Sequence, residues 1–205
     1  MCVPRTVVIA SRNPGKVAEL RRQVGAWGVA EVRGIAEFPD AVEPVESGAT
    51  YIDNARIKAV GGAAATGLPT LADDSGLEVD ALGGRPGVHS ARYGGPGIDN
   101  AGRIARLLAE LDGVPEARRG AAFHAVVVLA WPDGRTIEAE GACRGSIALA
   151  PRGSGGFGYD PVFVFPAFGR TFAEVSPAEK ARVDHRGRAM AALRERILAA
   201  CPASS

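Results

Sequence analysis

The sequence predicts an α/β fold with a mixed, twisted sheet, helices on its faces and loops gathered around a central cleft, and three observations carry that prediction. A short β-branched run, Thr6 to Ser11, passes through Asn13-Pro14-Gly15 into Lys16 to Val24, where Val17, Leu20 and Val24 recur at helical spacing. Phe123 to Trp131 and Arg135 to Ile147 are two strand-like runs separated by Pro132-Asp133-Gly134, a hairpin signal. Between these two regions and after them lie helical segments with recognisable caps.

Each remaining element has its own justification. Thr50-Tyr51-Ile52-Asp53 opens a helix with a capping residue and an acid three positions on, and Gly67 should stop it. Asn54 and Lys58 then share one helical face. Leu68 to Asp80 reads as strand material interrupted by a polar turn at Asp73-Asp74-Ser75-Gly76. A glycine-rich loop, Gly83 to Gly97, precedes a helix capped by Asp99, striped with Ile104, Leu107, Leu108 and Leu111, and closed by Gly113. Pro161 to Phe165 is a further strand after the loop Gly153 to Asp160. The last helix starts at a capping box, Ser176-Pro177-Ala178-Glu179, and is interrupted near Asp184 to Gly187 on its way to Leu198.

Length and composition set the frame for function. With 205 residues, the chain fits one domain, 1–205, with a sizeable core. Hydrophobic residues at 46% and charged residues at 23% are ordinary globular usage and exclude a disordered or disulfide-stapled chain. Twenty-four basic residues against 23 acidic ones leave a net charge of +1, which offers no field for an extended nucleic acid but leaves room for a small anionic ligand. The three cysteines, Cys2, Cys143 and Cys201, are too scattered for a zinc site or a disulfide framework, and no apolar run approaches a membrane span. A reducing, cytoplasmic setting follows as the expectation.

Of the basic residues only Lys16, Lys58 and Lys180 are lysine, the rest being arginine. Coding bias explains the arginines; a position that stays lysine in that background suits a compact ammonium, as phosphate-gripping sites do.

Five segments combine residue types that could do chemistry, and each also has an ordinary structural reading. Ser11 to Lys16 hands a strand to a helix, which would present free backbone N–H groups and Lys16 to an anion; read alone it is also a common turn, and its spacing is not that of a Walker loop. Asp73-Asp74 offers two carboxylates, but neighbours on a strand face opposite ways, so only one can be catalytic; alternatively the segment is an Asx turn. Glu46 could join such an acid at a Mg²⁺ ion, which takes one or two carboxylates plus water and phosphate, or it and Glu43 could be acids in a solvated loop. Ser154 to Asp160 sets Phe157 and Tyr159 among glycines, suited to stacking on a planar base or to burial under the loop. Lys180, His185 and Arg186 could read purine carbonyls or finish a solvated helix end.

Taken together, these segments resemble the inosine triphosphate pyrophosphatase family, the XTP/dITP diphosphatases. The matching stretches are Ser11-x-Asn13-x-x-Lys16, Glu46-x-Gly48 with Tyr51-x-x-Asn54-x-x-x-Lys58, Ala72 to Leu77, Gly87 to Tyr93, Gly155 to Pro161 and His185-Arg186-Gly187, in that order across nearly the whole chain. The resemblance implies an elongated, two-lobed homodimeric enzyme that uses Mg²⁺ to hydrolyse ITP, dITP and XTP to the monophosphate and pyrophosphate. By position, it makes Asp74 the base and a metal ligand, assisted at the metal by Glu46. Ser11, Arg12, Asn13, Pro14, Gly15, Lys16, Lys58 and Ser75 become phosphate-end contacts. Phe157 would stack on the base, with Gly158 and Tyr159 in its loop and Asp160, Lys180, His185 and Arg186 around the polar edge. Two positions depart from the family pattern: Ser11 stands where Thr is frequent, and Asp184 stands where Ser often precedes His-Arg, adding a negative charge near the implied base pocket. A pyrophosphatase for modified pyrimidine or methylated nucleotides and a non-catalytic nucleotide- or RNA-binding module are the competing readings; in the latter, Asp74 and Glu46 would be surplus.

Overall fold

A computed structural model describes residues 3–41 and 44–200; Cys2, Glu43 and Cys201 lie outside them. The described chain folds as β1 (Thr6–Ile9), α1 (Pro14–Gly25), β2 (Glu31–Gly34), α2 (Tyr51–Thr66), β3 (Thr70–Val79), α3 (Asn100–Glu110), β4 (Gly120–Ala130), β5 (Thr136–Ile147), β6 (Phe163–Phe165), β7 (Arg170–Thr171), α4 (Pro177–Val183) and α5 (His185–Ala199). Seven strands hydrogen-bond in the order β2-β1-β3-β4-β5-β6-β7. The sheet is mixed: β1 runs parallel to both β2 and β3, while β6 runs antiparallel to β5 and β7. Among the described residues no helix is long and apolar enough to cross a membrane.

Contacts divide the chain into two compact units, 1–74 with 125–141 and 186–205, and 75–124 with 142–185. Within the first unit, Val7, Ile9, Leu71, Val127 and Leu129 pack with Leu20 and Val24 of α1 and Met190, Leu193 and Ile197 of α5. A second cluster sets Ala55, Ala59 and Ala63 of α2 on Ala10, Ala72, Val126 and Val128. Alanine at every fourth position gives α2 a flat face that brings its backbone close to the strands. Gly62 extends that face, since a Cβ there would stand 2.7 Å from Thr70 Cγ2. Close packing of this kind carries Asn54 and Lys58, one position back on the same turns, down to β3.

The core of the second unit is larger-grained. Ile104, Leu107 and Leu111 pack against Leu77, Val79, Phe123, Cys143 and Ile147. Phe163 lies 4.5 Å from Phe123 and 5.1 Å from Phe172, ring centre to centre.

Several local expectations meet the structure closely. Thr50 caps α2 through the Asp53 N–H, and Gly67 ends it with φ +66°. Asp99 caps α3 at the Gly102 N–H, and Ser176 with Glu179 forms a capping box at α4. Asp184, extended at φ −75° and ψ 166°, separates α4 from α5. The hairpin closes through a Gly134 N–H to Trp131 carbonyl bond.

Two expectations are corrected. First, β3 is one uninterrupted ten-residue strand, and no polar turn breaks it at Asp73 to Gly76. The strand is buried on both faces from Thr70 to Asp74, so it shows no alternation, and its carboxylates are neutralised by cations from other elements. Second, the N–H groups at the start of α1 do not stand open to an anion. Asn13 Oδ1 accepts from Gly15 N at 3.0 Å and Lys16 N at 3.2 Å, because an Asn at the cap satisfies its own helix. The edge strands β2 and β7, only four and two residues long, have no counterpart in the sequence reading.

Candidate functional site

In the first unit, the functional residues gather around Lys58. Its Nζ donates to Asp74 Oδ1 at 3.2 Å and lies 2.8 Å from Glu46 Oε1, with its side chain almost wholly buried. α2 supplies the ammonium, β3 the Asp74 carboxylate, and the loop before α2 supplies Glu46. Asn54, one helical turn before Lys58, donates through Nδ2 to Asp74 Oδ2 at 3.3 Å and accepts at Oδ1 from Gly48 N at 2.9 Å. One buried amide therefore fixes both the Asp74 carboxylate and the backbone of the loop that carries Glu46. Gly48 allows this approach: a Cβ there would stand 2.5 Å from Asp53 Cβ and 2.8 Å from Asn54 Oδ1.

A second cation network lies on β3 next to the first. Lys16 Nζ is 2.8 Å from Asp73 Oδ1, and Arg186 Nε donates to Asp73 Oδ2 at 3.0 Å. Arg186 also donates from Nη1 to Glu19 Oε2 at 2.5 Å. Burial pushes the Asp73 carboxyl up, but Arg186, Lys16 and Lys58 outweigh it and hold it far below the usual carboxylate range. Asp74 goes the other way: burial raises its carboxyl, with Asp73 and Glu46 adding to the rise, and Lys58 and Lys16 only partly opposing it. Lys58 itself loses from burial, yet Asp74, Asp73 and Glu46 together strengthen its hold on its proton. Adjacent acids on one strand thus differ in kind, one a locked anion and the other a more basic carboxylate.

The remaining phosphate-end candidates lie at the β1–α1 junction and on β3. Ser11 Oγ accepts from Asn13 N at 3.2 Å, Arg12 is exposed, and Pro14 and Gly15 form the first turn of α1. Ser75 follows Asp74 on β3, half-buried, and is counted with the second unit.

In the second unit, the loop after β5 and helix α4 build a separate cluster. Lys180 Nζ donates to Asp160 Oδ2 at 2.7 Å, both side chains being buried, and stands 4.9 Å over the Phe157 ring. The same carboxylate oxygen accepts from Phe157 N at 2.9 Å, so Asp160 ties the ammonium to the loop backbone. Three loop glycines take left-handed backbone, Gly153 at φ +79°, Gly156 at φ +69° and Gly158 at φ +61°; a Cβ on Gly156 would collide with the Asp160 carboxylate. Tyr159 donates to Ser90 O at 3.0 Å, and burial pushes its phenol well up. Phe157 is half-buried and, with Gly158, lines a cavity of about 530 Å³ in this unit, so its ring is not part of the core. His185 is buried with its ring stacked 4.7 Å from Phe123.

The structure therefore brings Lys16, Glu46, Lys58 and Asp74 together in one unit, and Phe157, Asp160, Lys180 and His185 belong to the other. Arg186, grouped in the sequence reading with the polar edge of a base, follows His185 directly, is counted with the first unit and pairs there with Asp73 and Glu19. Three residues of the clusters carry no site role in the sequence reading: Asn54, Asp73 and Glu19. Asn54 was findable, since i, i+4 spacing places it on the Lys58 face.

The donor set suits a hard divalent cation. Glu46 and Asp74 present carboxylate oxygens to the same ammonium, and Mg²⁺ needs only one or two carboxylates beside water and phosphate. Among the described residues no group of three His, Cys, Asp or Glu side chains is gathered for a metal. Formal charge favours a cation too: Glu19, Glu46, Asp73 and Asp74 outnumber Lys16, Lys58 and Arg186 by one.

Fold and site together define a mixed-sheet α/β protein in which a buried lysine and a partly exposed one hold adjacent carboxylates on one strand, a class of site suited to phosphate chemistry. The chain belongs to the Ham1 family, whose model matches residues 7–196. It is 50% identical over 191 residues to a dITP/XTP pyrophosphatase of Geobacillus kaustophilus, covering 93% of both chains. It is 52% identical over 189 residues to a dITP/XTP pyrophosphatase of Thermus thermophilus, covering 92% of this chain and 90% of that one. A solved HAM1 protein from Coxiella burnetii superposes with a TM-score of 0.84 at 39% identity, over 95% of this chain and 99% of the other.

Proposed function

We propose that this chain hydrolyses non-standard purine nucleoside triphosphates, dITP, XTP and ITP, to the monophosphate and pyrophosphate, clearing them from the nucleotide pool. As an enzyme it is a nucleoside triphosphate pyrophosphatase, a hydrolase of phosphoanhydride bonds, in keeping with relatives about 50% identical over most of the chain. One observation carries the reading: the buried Lys58 joins Glu46 and Asp74, with Lys16 beside it on Asp73.

The chemistry follows from the groups. Glu46 and Asp74 would hold Mg²⁺, which when bound supplies Lewis-acid polarisation and lowers the pKa of a coordinated water. Lys16 and Lys58 place ammonium charge where the triphosphate binds, stabilising negative charge on the departing pyrophosphate. A water oxygen forms a bond to the α-phosphorus as the bond to the bridging oxygen breaks, and a carboxylate oxygen of Asp74 takes the proton. Burial raises the basicity of that carboxylate, which suits it to the task.

The base is assigned to the second unit, where Phe157 offers a half-buried ring for stacking. Lys180 and His185 supply N–H donors for a 6-carbonyl, present in hypoxanthine and xanthine and replaced by an amino group in adenine. By resemblance to the family, the working form is a cytoplasmic homodimer, which light scattering on the purified protein tests.

A nucleotide panel tests the activity itself. Pyrophosphate should form from dITP, XTP and ITP with Mg²⁺ far faster than from ATP. Release of orthophosphate instead, or equal rates on ATP, would remove the assignment.

A further inference from the structure

Among the described residues of the first unit Asp73 is the most completely buried carboxylate, its side chain wholly out of solvent, and the mechanism above gives it nothing to do. Successive strand residues face opposite ways, so the side chains of Asp73 and Asp74 leave the strand on opposite faces. Its two oxygens are divided between two cations from helices far apart in sequence. Oδ1 takes Lys16 of α1 at 2.8 Å, and Oδ2 takes Arg186 of α5 at 3.0 Å.

The division matters because the two cations differ. Arg186 is rigid, fully buried and anchored again on Glu19, whereas Lys16 ends a flexible four-carbon stem and keeps some exposure. An untethered lysine loses rotamer freedom when it binds a phosphate, and a tethered one has already lost it. Because Arg186 already pairs with Asp73, the carboxylate is shared and does not cancel the Lys16 charge.

We infer that Asp73 is a positioning residue, held by Arg186, that sets the Lys16 ammonium for the triphosphate. The inference rests on the phosphate-end reading above.

A double-mutant cycle tests it, using pyrophosphate release from XTP and, independently of turnover, calorimetric binding of inorganic tripolyphosphate with Mg²⁺. Asp73→Asn should raise KM and weaken tripolyphosphate binding roughly tenfold. In a Lys16→Ala background the same change should cost less than about twofold, because the tethered group is gone. Losses that multiply in the double variant would overturn the inference. To separate folding from positioning, Asp73→Asn combined with Arg186→Met and Glu19→Gln removes the guanidinium together with both of its carboxylate partners; it should recover thermal stability while KM stays raised. Recovery of KM along with stability would make Asp73 merely structural. Should the wild type release no pyrophosphate from any nucleotide, the functional reading fails on its own, and the tripolyphosphate cycle still decides whether Asp73 acts through Lys16.

Discussion

Lys58 Nζ stands 3.2 Å from Asp74 Oδ1 while its other carboxylate partner, Glu46, lies 2.8 Å away, so a single buried ammonium holds together two acids 28 positions apart. Asn54 ties the same two elements together, donating to Asp74 Oδ2 and accepting from Gly48 N.

Glu46→Gln keeps the shape of the side chain and removes its charge. The Mg²⁺ concentration for half-maximal activity should rise by about tenfold or more, with saturating activity less affected. A magnesium titration checks this, and an unchanged midpoint would take Glu46 out of the metal set.

Gly48→Ala places a methyl 2.5 Å from Asp53 Cβ and 2.8 Å from Asn54 Oδ1, so the loop bearing Glu46 must move off Asn54. The cost should be roughly 1–3 kcal/mol of stability, with a higher magnesium concentration for half-maximal activity as a second sign. Ser47→Ala, next to it and exposed, should match the wild type in both.

Helix caps were readable in the sequence, and ion pairs between distant residues were not. Thr50, Asp99 and Ser176 cap their helices through contacts within three residues, so local spacing was sufficient to place α2, α3 and α4. Strand β3 was not readable through Asp73-Asp74, because the cations that make two mid-strand carboxylates tolerable come from Lys16, Lys58 and Arg186. Arg186 lies 113 positions from Asp73, and a partnership at that distance leaves no local pattern. The Asn13 cap is the opposite case: an Asn before Pro-Gly and a helical run is a local signal, and its own side chain closes the N–H groups.

Lys180→Met should leave Asp160 as an uncompensated buried charge and cost about 3–5 kcal/mol in stability. Adding Asp160→Asn should restore most of that stability. Use of XTP should stay impaired in the double variant, measured as kcat/KM, because the donor to the base carbonyl is still missing. Recovered XTP turnover would confine Lys180 to a structural role.

Acid stability should depend on Asp73. Its carboxyl is held below the unfolded value, so its contribution is complete above that value, about 3.9, and is lost as pH falls through the lower folded one. Denaturant unfolding between roughly pH 6 and 2 should therefore show a steep loss on the acid side for the wild type. Asp73→Asn should be less stable at neutral pH and flatter below about pH 4. Parallel curves for the two proteins would mean Asp73 carries no such coupling.

The most direct measurement compares wild type and Asp74→Asn for XTP binding and pyrophosphate release with Mg²⁺, alongside circular dichroism to confirm the fold. The variant should remain folded and still bind XTP, with release slowed by roughly 10³-fold or more. Release within tenfold of the wild type from a folded Asp74→Asn protein would contradict the role assigned to Asp74 and, with it, the reaction proposed for this site.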